Sequence, residues 1–227
     1  LPPLRRLYLS ALKYGVCVHV WGRGEPYITH TRRKVLGFRR RLRFLSGSVG
    51  YVYHVDLADS LILAGERELL LRTQALGPLV MGCEEPFAPV KGDKWSERFN
   101  AGTFRSPCAG LWGGKREAVA EALERLAALR EAGLQGKWPE WVTDVRYWND
   151  QWLWHVALIE RLIDIRLDTE WEFIANVNFQ YGDPETTFIR FTSGEVFGPA
   201  GKPVALMHFP GAGKRRMHHW DFLLASS

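Results

Sequence analysis

The chain has 227 residues and a formal net charge of +5, and with 46% hydrophobic residues it can bury one sizeable core in a single domain. No apolar stretch is long enough to span a bilayer and no secretory signal opens the chain, so we expect no membrane partner and a cytoplasmic location. The three cysteines are widely spaced and lack metal or redox motifs, which favours buried thiols in a reducing compartment.

The predicted elements alternate between helices and strands. In the first half the pattern predicts a helix from Leu4 that stops at Gly15, a strand over 16–21, and an amphipathic basic helix after Thr31 that Gly47 breaks. It then predicts strands over 51–55 and 60–63, a helix over 66–76 and a strand over 79–81. In the second half it predicts a loop over 86–98, an extended segment over 99–104, a helix over 115–130 ended by Gly133, a helix capped by Asn149 or Asp150, and strands over 165–167 and 204–207. This alternation predicts an α/β sheet with crossover connections.

Basic residues gather in two parts of the chain. Residues 31–44 contain a run of arginines and Lys34 without any acidic residue, and residues 196–220 contain further lysines, arginines and histidines, again without an acid. A solvated helix face would explain a single cluster. Because there are two, we expect a polyanionic partner such as duplex DNA.

Two aspartates follow the predicted strand over 51–55. Asp56 and Asp59 are three residues apart, at the strand end where open α/β sheets bind ligands. Two carboxylates across a turn can share a hard cation such as Mg²⁺ or Mn²⁺. The alternative is that Asp56 caps a turn and Asp59 faces water.

A second motif, His-x-x-Gly-x-x-Lys, follows the apolar run over 204–207. Its imidazole, His208, can ligate a divalent ion, and Gly211 lets backbone N–H groups approach phosphate oxygens. Lys214 can neutralise a leaving diphosphate. Together with the acidic pair, this motif favours a nucleotide-sugar site.

Five sequence blocks resemble the GT-A glycosyltransferases, in the order found in that family. Residues 53–65 resemble the acidic-pair strand of the procollagen-lysine glucosyltransferase domains, and residues 79–86 resemble the strand of these domains that ends in Ala-Glu. Residues 99–102 resemble their Leu-Asn-Ser-Gly segment, and residues 149–151 resemble their Asp-Asp-Gln segment. Residues 208–214 resemble the His-x-x-Gly-x-x-Lys motif of glycogenin-like enzymes. The resemblance implies a single α/β domain of the GT-A (Rossmann-like) type over residues 1–227, with a mixed central sheet flanked by helices. It also implies a first strand carrying part of the nucleotide pocket before the helix at Leu4, which we expect this chain to lack.

The resemblance assigns roles to individual residues. Asp56, Asp59 and His208 would bind the metal, Mn²⁺ or Mg²⁺, and the donor would be a nucleotide-sugar, UDP-sugar above all. The residues implied at the donor nucleotide and its diphosphate are Lys34, Asp56, Gly211 and Lys214. The residues implied at the catalytic position beside the transferred sugar are Asn100 and Asp150, with Gln151 supporting them.

The implied activity is metal-dependent sugar transfer to a hydroxyl acceptor with retention of anomeric configuration. The chain is also similar to enzymes that glycosylate hydroxymethylated pyrimidines in DNA, and the basic clusters favour that acceptor over protein hydroxylysine or an oligosaccharide. Two other classes stay open. A metal-dependent nuclease or phosphatase could use the same ligands, and a non-catalytic nucleic-acid-binding module would explain the charge alone.

Overall fold

The computed structural model describes residues 3–21, 29–84, 106–142, 149–177, 189–211, 213, 217 and 220–225. Helices and strands are interspersed along these residues, so the protein is mixed α/β. The helices are α1 (Pro3–Lys13), a π-helix (Thr31–Gly37) that continues into α2 (Phe38–Leu42), α3 (Glu66–Leu76), α4 (Arg116–Leu134), α5 (Asp150–Ile159) and α6 (Phe222–Ala225). The strands are β1 (Tyr51–Val55), β2 (Ser60–Ile62), β3 (Leu79–Glu84), β4 (Ser106–Lys115), β5 (Arg166–Asp168), β6 (Ile174–Asn176), β7 (Arg190–Thr192), β8 (Glu195–Phe197) and β9 (Leu206–His208).

The larger sheet has four strands in the order β1-β4-β3-β5. The long strand β4 is antiparallel to both β1 and β3, and β5 is parallel to β3. The register between β3 and β4 shifts between Met81 and Cys83: Met81 pairs with Trp112 but Cys83 pairs with Pro107, so residues 108–111 of β4 fall between these two pairings. This sheet is therefore mixed, which agrees with that part of the expected fold.

The smaller sheet has three strands in the order β2-β9-β6. In the register of its strands, His208 of β9 lies opposite Ser60 of β2 on one side and opposite Asn176 of β6 on the other. Residues directly opposite each other on paired strands project to the same face. His208 therefore has a hydroxyl and an amide side chain as its neighbours on that face. A separate hairpin is formed by β7 and β8.

Helices α4 and α5 build the main core with the larger sheet. Val119, Leu123 and Leu126 recur at helical spacing on α4 and are fully buried. On α5 nearly every residue is buried, and Trp154 meets Trp112 of β4 edge to face with ring centroids 4.9 Å apart. Full burial of one such large apolar side chain contributes on the order of 2–3 kcal/mol, so this packing fixes β4 against α5.

Several predicted elements are confirmed. The strand over 51–55 and the helix over 66–76 have the predicted bounds, and the basic segment after Thr31 is helical, beginning as a π-helix. The helix predicted to end at Gly133 runs one residue further. Asn149 caps α5, since its side-chain oxygen accepts from the backbone N–H groups of Gln151 and Trp152.

Other predictions are wrong. Residues 16–21 belong to no sheet among the described residues, although Trp21 stacks on Phe38 with ring centroids 5.0 Å apart. The strand predicted over 204–207 does not close the main sheet, because β9 is the central strand of the smaller sheet. β4 and β6 were not predicted. The predicted loop over 86–98 and the extended segment over 99–104 lie outside the described residues.

Among the helices of the described segments, none has both the length and the apolar character that crossing a bilayer requires.

Candidate metal centre

The two segments that carry the proposed ligands are joined by backbone hydrogen bonds. Asp56 follows β1 and donates its N–H to the carbonyl of Gly110 on β4, at 2.9 Å. The carbonyl of Asp59 accepts from the N–H of Phe209 at 2.8 Å, directly after β9. The acidic turn is thus held between the larger sheet and the end of β9, next to His208. Segments that are far apart in sequence become neighbours because β2 pairs with β9.

Asp56, Asp59 and His208 offer ligand atoms that all lie within 4.8 Å of one another. His208 Nε2 is 3.5 Å from Asp59 Oδ2 and 3.8 Å from Asp56 Oδ2. Ligand atoms lie about 2.0–2.2 Å from a small divalent cation, so two of them are roughly 3–4 Å apart around it. The two separations from His208 therefore fit one shared ion; carboxylates bind both Mn²⁺ and Mg²⁺, and the imidazole favours a transition metal such as Mn²⁺ over Mg²⁺.

Burial also favours a cation at this point. Asp59 and His208 are 1% and 3% exposed. His208 Nε2 is buried and makes no hydrogen bond to any residue in the described part of the chain. A buried polar nitrogen without a hydrogen bond costs free energy unless a ligand satisfies it. The residues present thus fit a divalent metal, and Asp56, Asp59 and His208 would hold it.

The ring of His208 lies directly over a glycine of β4. A Cβ atom at Gly110 would be only 2.1 Å from Cε1 and 2.4 Å from Nε2 of His208. The imidazole therefore occupies the volume that any other side chain at position 110 would fill. On the same strand, the thiol of Cys108 is 3.4 Å from Nδ1 of the ring. Burial raises the pKa of this thiol well above its usual value, so Cys108 is a neutral neighbour of the imidazole.

The carboxylate of Asp56 is surrounded by cationic and imidazole groups. Lys34 Nζ lies 2.8 Å from each of its two oxygens, and His54 Nε2 is 3.4 Å from Oδ1. Burial alone would raise the pKa of the Asp56 carboxyl. The contact with His54 and the positive charge of Lys34 outweigh burial and lower this pKa well below its usual range. Asp56 is therefore held as a carboxylate, the form that binds metal.

Lys34 contacts both Asp56, a candidate metal ligand, and Asp150 in the first turn of α5. Its Nζ atom is 3.4 Å from Asp150 Oδ2, in addition to its contact with Asp56. Burial opposes the charge on Lys34, but the carboxylates of Asp150 and Asp56 raise its pKa above the usual value. Beside Asp150, Gln151 donates from Nε2 to Oε1 of the buried Glu84 at 2.9 Å. A single ammonium is thus shared between two acidic side chains.

The predicted site residues fall into two groups. The structure brings together Asp56, Asp59, His208, Lys34 and Asp150 through the contacts given above, and Gln151 lies beside Asp150. Gly211 follows β9 with φ of +57°, in the left-handed region where glycine is favoured. Asn100 and Lys214, the other two predicted residues, lie outside the described residues.

Sequence reasoning did not identify four neighbours of the ligands: His54, Cys108, Gly110 and Asn176. Only His54 has a sequence signal, because it stands two residues before Asp56 and side chains two apart on an extended chain share a face. The others reach the site through the pairing of strands that were not predicted.

Comparison of the chain with models of known protein families and with curated proteins gave no match.

Proposed function

We propose that this protein is a metal-dependent glycosyltransferase that moves a sugar from a nucleotide-sugar, above all a UDP-sugar, to a hydroxyl acceptor. The observation that carries the proposal is the meeting of Asp56, Asp59 and His208 around one point. These are the residues that the resemblance to GT-A enzymes assigns to the metal. Their convergence, in a mixed α/β protein, supports a single domain of that class.

The reaction needs charge stabilisation at the departing group. The acceptor oxygen forms a bond to the anomeric carbon, the bond from that carbon to the diphosphate oxygen breaks, and its electron pair leaves with the nucleoside diphosphate while the hydroxyl proton is released. A bound Mn²⁺ or Mg²⁺ ion supplies Lewis-acid stabilisation of the diphosphate charge. In the proposal Asp56, Asp59 and His208 hold that ion, and Gly211 and Lys214 meet the diphosphate.

The contacts of Lys34 support a donor position between the metal ligands and α5. Its ammonium touches Asp56 on the metal side and Asp150 on the other side. In the proposal Lys34 contacts the donor, and Asp150 orients the transferred sugar together with Gln151 and Asn100. Orientation of the anomeric carbon against the acceptor then lowers the barrier. We propose retention of configuration, which NMR analysis of the anomeric linkage of the product tests.

The acceptor that we propose is a hydroxymethylated pyrimidine in duplex DNA. The helical segment 31–42 that carries Lys34 into the site also carries Arg32, Arg40 and Arg41 with exposed side chains, and Arg43 is exposed directly after it. Arginines on this surface suit backbone phosphates. A hydroxylysine or oligosaccharide acceptor would not require such a row of arginines.

Thermal unfolding with metal and nucleotide tests the transferase. Mn²⁺ together with UDP should raise the melting temperature more than either alone, because Asp56, Asp59 and His208 would hold the ion and the ion would strengthen binding of the diphosphate. Asp56→Asn should abolish the joint effect, and Asp164→Asn, an exposed carboxylate, should leave it unchanged. Hydrolysis of a phosphodiester or phosphomonoester with Mn²⁺, without release of sugar from any UDP-sugar, would instead identify a nuclease or phosphatase.

Binding of duplex DNA tests the acceptor. The affinity should fall steeply with salt, and replacing Arg40 and Arg41 with glutamine should reduce the slope of log K against log salt by about 1 for each phosphate that is no longer neutralised. Arg5→Gln, on α1, should leave the slope unchanged. Mass spectrometry of DNA containing hydroxymethylcytosine should show added hexose. Unchanged DNA mass, with transfer to a hydroxylysine peptide or an oligosaccharide, would contradict the proposed acceptor.

A further inference from the structure

His208 makes a hydrogen bond through the ring nitrogen that faces away from the aspartates. Its Nδ1 atom lies 2.8 Å from Oδ1 of Asn176, and both residues are almost fully buried. The contact follows from strand pairing, because Asn176 lies opposite His208 in the parallel ladder of β6 and β9. One nitrogen of the ring is thus engaged by an amide while the other faces the two carboxylates.

The orientation of the Asn176 amide is fixed by a second hydrogen bond. Its Nδ2 atom donates to the carbonyl of Cys83 at 3.3 Å. A carbonyl oxygen only accepts, so the NH₂ end of the amide must face Cys83 and the oxygen end must face His208. An amide oxygen also only accepts, so Nδ1 of His208 must carry the hydrogen. The neutral imidazole then has its lone pair on Nε2, the atom nearest the aspartates.

We propose that Asn176 is a positioning residue that fixes the tautomer and the orientation of His208, and that it thereby sets how tightly the centre binds a divalent metal. The inference rests on the metal centre proposed above. Metal binding requires an unprotonated nitrogen, and a partner on the other nitrogen of a histidine ligand holds both its tautomer and its ring plane.

The surrounding backbone has room for this arrangement at two glycines. A Cβ atom at Gly82 of β3 would lie 2.3 Å from Cγ2 of Ile174 and 2.4 Å from Nδ2 of Asn176, and one at Gly110 would fall on the His208 ring. Both members of the pair therefore fill space that glycines leave open. Side chains at positions 82 and 110 would displace the amide and the imidazole respectively.

NMR of the histidine nitrogens tests the tautomer without any metal. In ¹⁵N-histidine-labelled protein at mildly alkaline pH, we expect His208 to give the pattern of a ring protonated on Nδ1 only. Asn176→Leu removes the acceptor at similar side-chain volume and should give a mixture of both tautomers. Asn176→Asp keeps an acceptor facing Nδ1 and should keep the single tautomer, although it loses the donor to Cys83. If His208 in Asn176→Leu keeps one pure Nδ1-protonated form, the proposal is overturned.

Mn²⁺ binding, followed by electron paramagnetic resonance, tests the consequence. Asn176→Leu should weaken Mn²⁺ binding by roughly 10–100-fold. Ile174→Val is the matched control, because it removes a buried methyl group from the same face of β6 and has no polar atom. Because the side chain at position 174 cannot hydrogen-bond to His208, the Mn²⁺ affinity of Ile174→Val should stay within about twofold of the affinity of the original chain. A purely structural role for Asn176 predicts instead that both variants lose affinity in proportion to their loss of stability.

Failure of the inference is distinguishable from failure of the proposed function. If the unaltered protein binds no Mn²⁺, the metal centre is wrong, while the NMR comparison still decides whether Asn176 fixes the imidazole. If Asn176→Leu does not fold, Asn176→Ser takes its place, because its shorter hydroxyl is too far from Nδ1 to hold the ring. A single tautomer and unchanged affinity in that variant would overturn the proposal equally.

Discussion

Three histidines are buried in the described part of the chain, His54, His155 and His208, and the surroundings of the last two differ most clearly. His155 lies within α5 and is fully buried, with Nδ1 donating to the Gln151 carbonyl at 2.6 Å and Nε2 lying 3.3 Å from Ser106 Oγ. His208 has one nitrogen bonded to Asn176, and its other nitrogen faces Asp56 and Asp59. Burial alone therefore does not mark a site. What distinguishes His208 from His155 is that its Nε2 atom has no hydrogen bond within the described residues and faces two carboxylates, whereas both nitrogens of His155 have partners.

The largest effect that we expect is at a carboxylate facing His208. Asp59→Asn should remove the stabilisation that Mn²⁺ gives, which is about 2.7 kcal/mol when the metal is at 100 times its Kd. Sugar transfer should fall by about 10³-fold, corresponding to roughly 4 kcal/mol of lost charge stabilisation. Calorimetric titration with Mn²⁺ and an assay of UDP release check the two effects. Full Mn²⁺ stabilisation in the variant would show that Asp59 is no ligand.

Gly110→Ala should have the next largest effect, because the added Cβ would lie 2.1 Å from the His208 ring. We expect a loss of about 3 kcal/mol in the free energy of unfolding, together with weaker Mn²⁺ binding. Gly113→Ala is the matched control on β4, since its Cβ would lie 2.5 Å from the carbonyl oxygen of Val52, on the neighbouring strand β1. It should lose stability without the same loss of affinity. Equal loss of affinity in both variants would contradict a specific role for Gly110.

The third prediction concerns the contribution of His155 to the pH dependence of the free energy of unfolding. Burial, opposed by the hydrogen bond to Gln151, lowers its pKa from 6.5 to about 4. Below pH 6.5 the unfolded chain takes up a proton that the folded protein accepts only near pH 4. The free energy of unfolding therefore falls as the pH drops through this window, by about 2 kcal/mol between about pH 7 and about pH 5.

Urea unfolding at both pH values, for the original chain and for His155→Leu, measures this contribution. The leucine cannot take up a proton, so the pH dependence of the variant should be smaller by that amount, while other groups titrate equally in both. An identical pH dependence would mean that His155 is not held neutral in the folded protein.

These contrasts also explain what the sequence could predict. The strand over 51–55 and the helix over 66–76 follow from β-branched and helical patterns alone. β4 could not be predicted, because Pro107, Gly110 and Gly113 are typical of turns. In the folded protein these glycines leave room for His208 and for the neighbouring strand β1.

The same limit applies to the site. Asp56, Asp59 and His208 could be singled out from the sequence as candidate ligands, because they stand at the ends of apolar runs, and the structure brings them together. Asn176 could not, since its contact with His208 depends on β6 pairing with β9. The segment over 16–21 shows the opposite error. It has strand-like composition, but it joins no sheet of the described residues, so composition does not supply a partner strand.

The smallest expected effect concerns the N-terminal cap of α5, the helix that carries both His155 and Asp150. The first turn of α5 carries Asp150 to Lys34, and the helix continues through His155 into the core. Asn149→Ala should cost about 1 kcal/mol of stability, because it leaves two backbone N–H groups of the first turn without their acceptor, and Asn149→Ser should restore most of it. The proposed metal ligands are not on this helix. Mn²⁺ affinity should therefore stay unchanged, while sugar transfer should fall about fivefold as Asp150 loses its position, roughly 1 kcal/mol of transition-state stabilisation. Mn²⁺ titration and a transfer assay on the same preparation separate the two effects. If Asn149→Ala lowers Mn²⁺ affinity and the transfer rate to the same extent, the geometry of the proposed ligands depends on the start of α5, which contradicts this prediction.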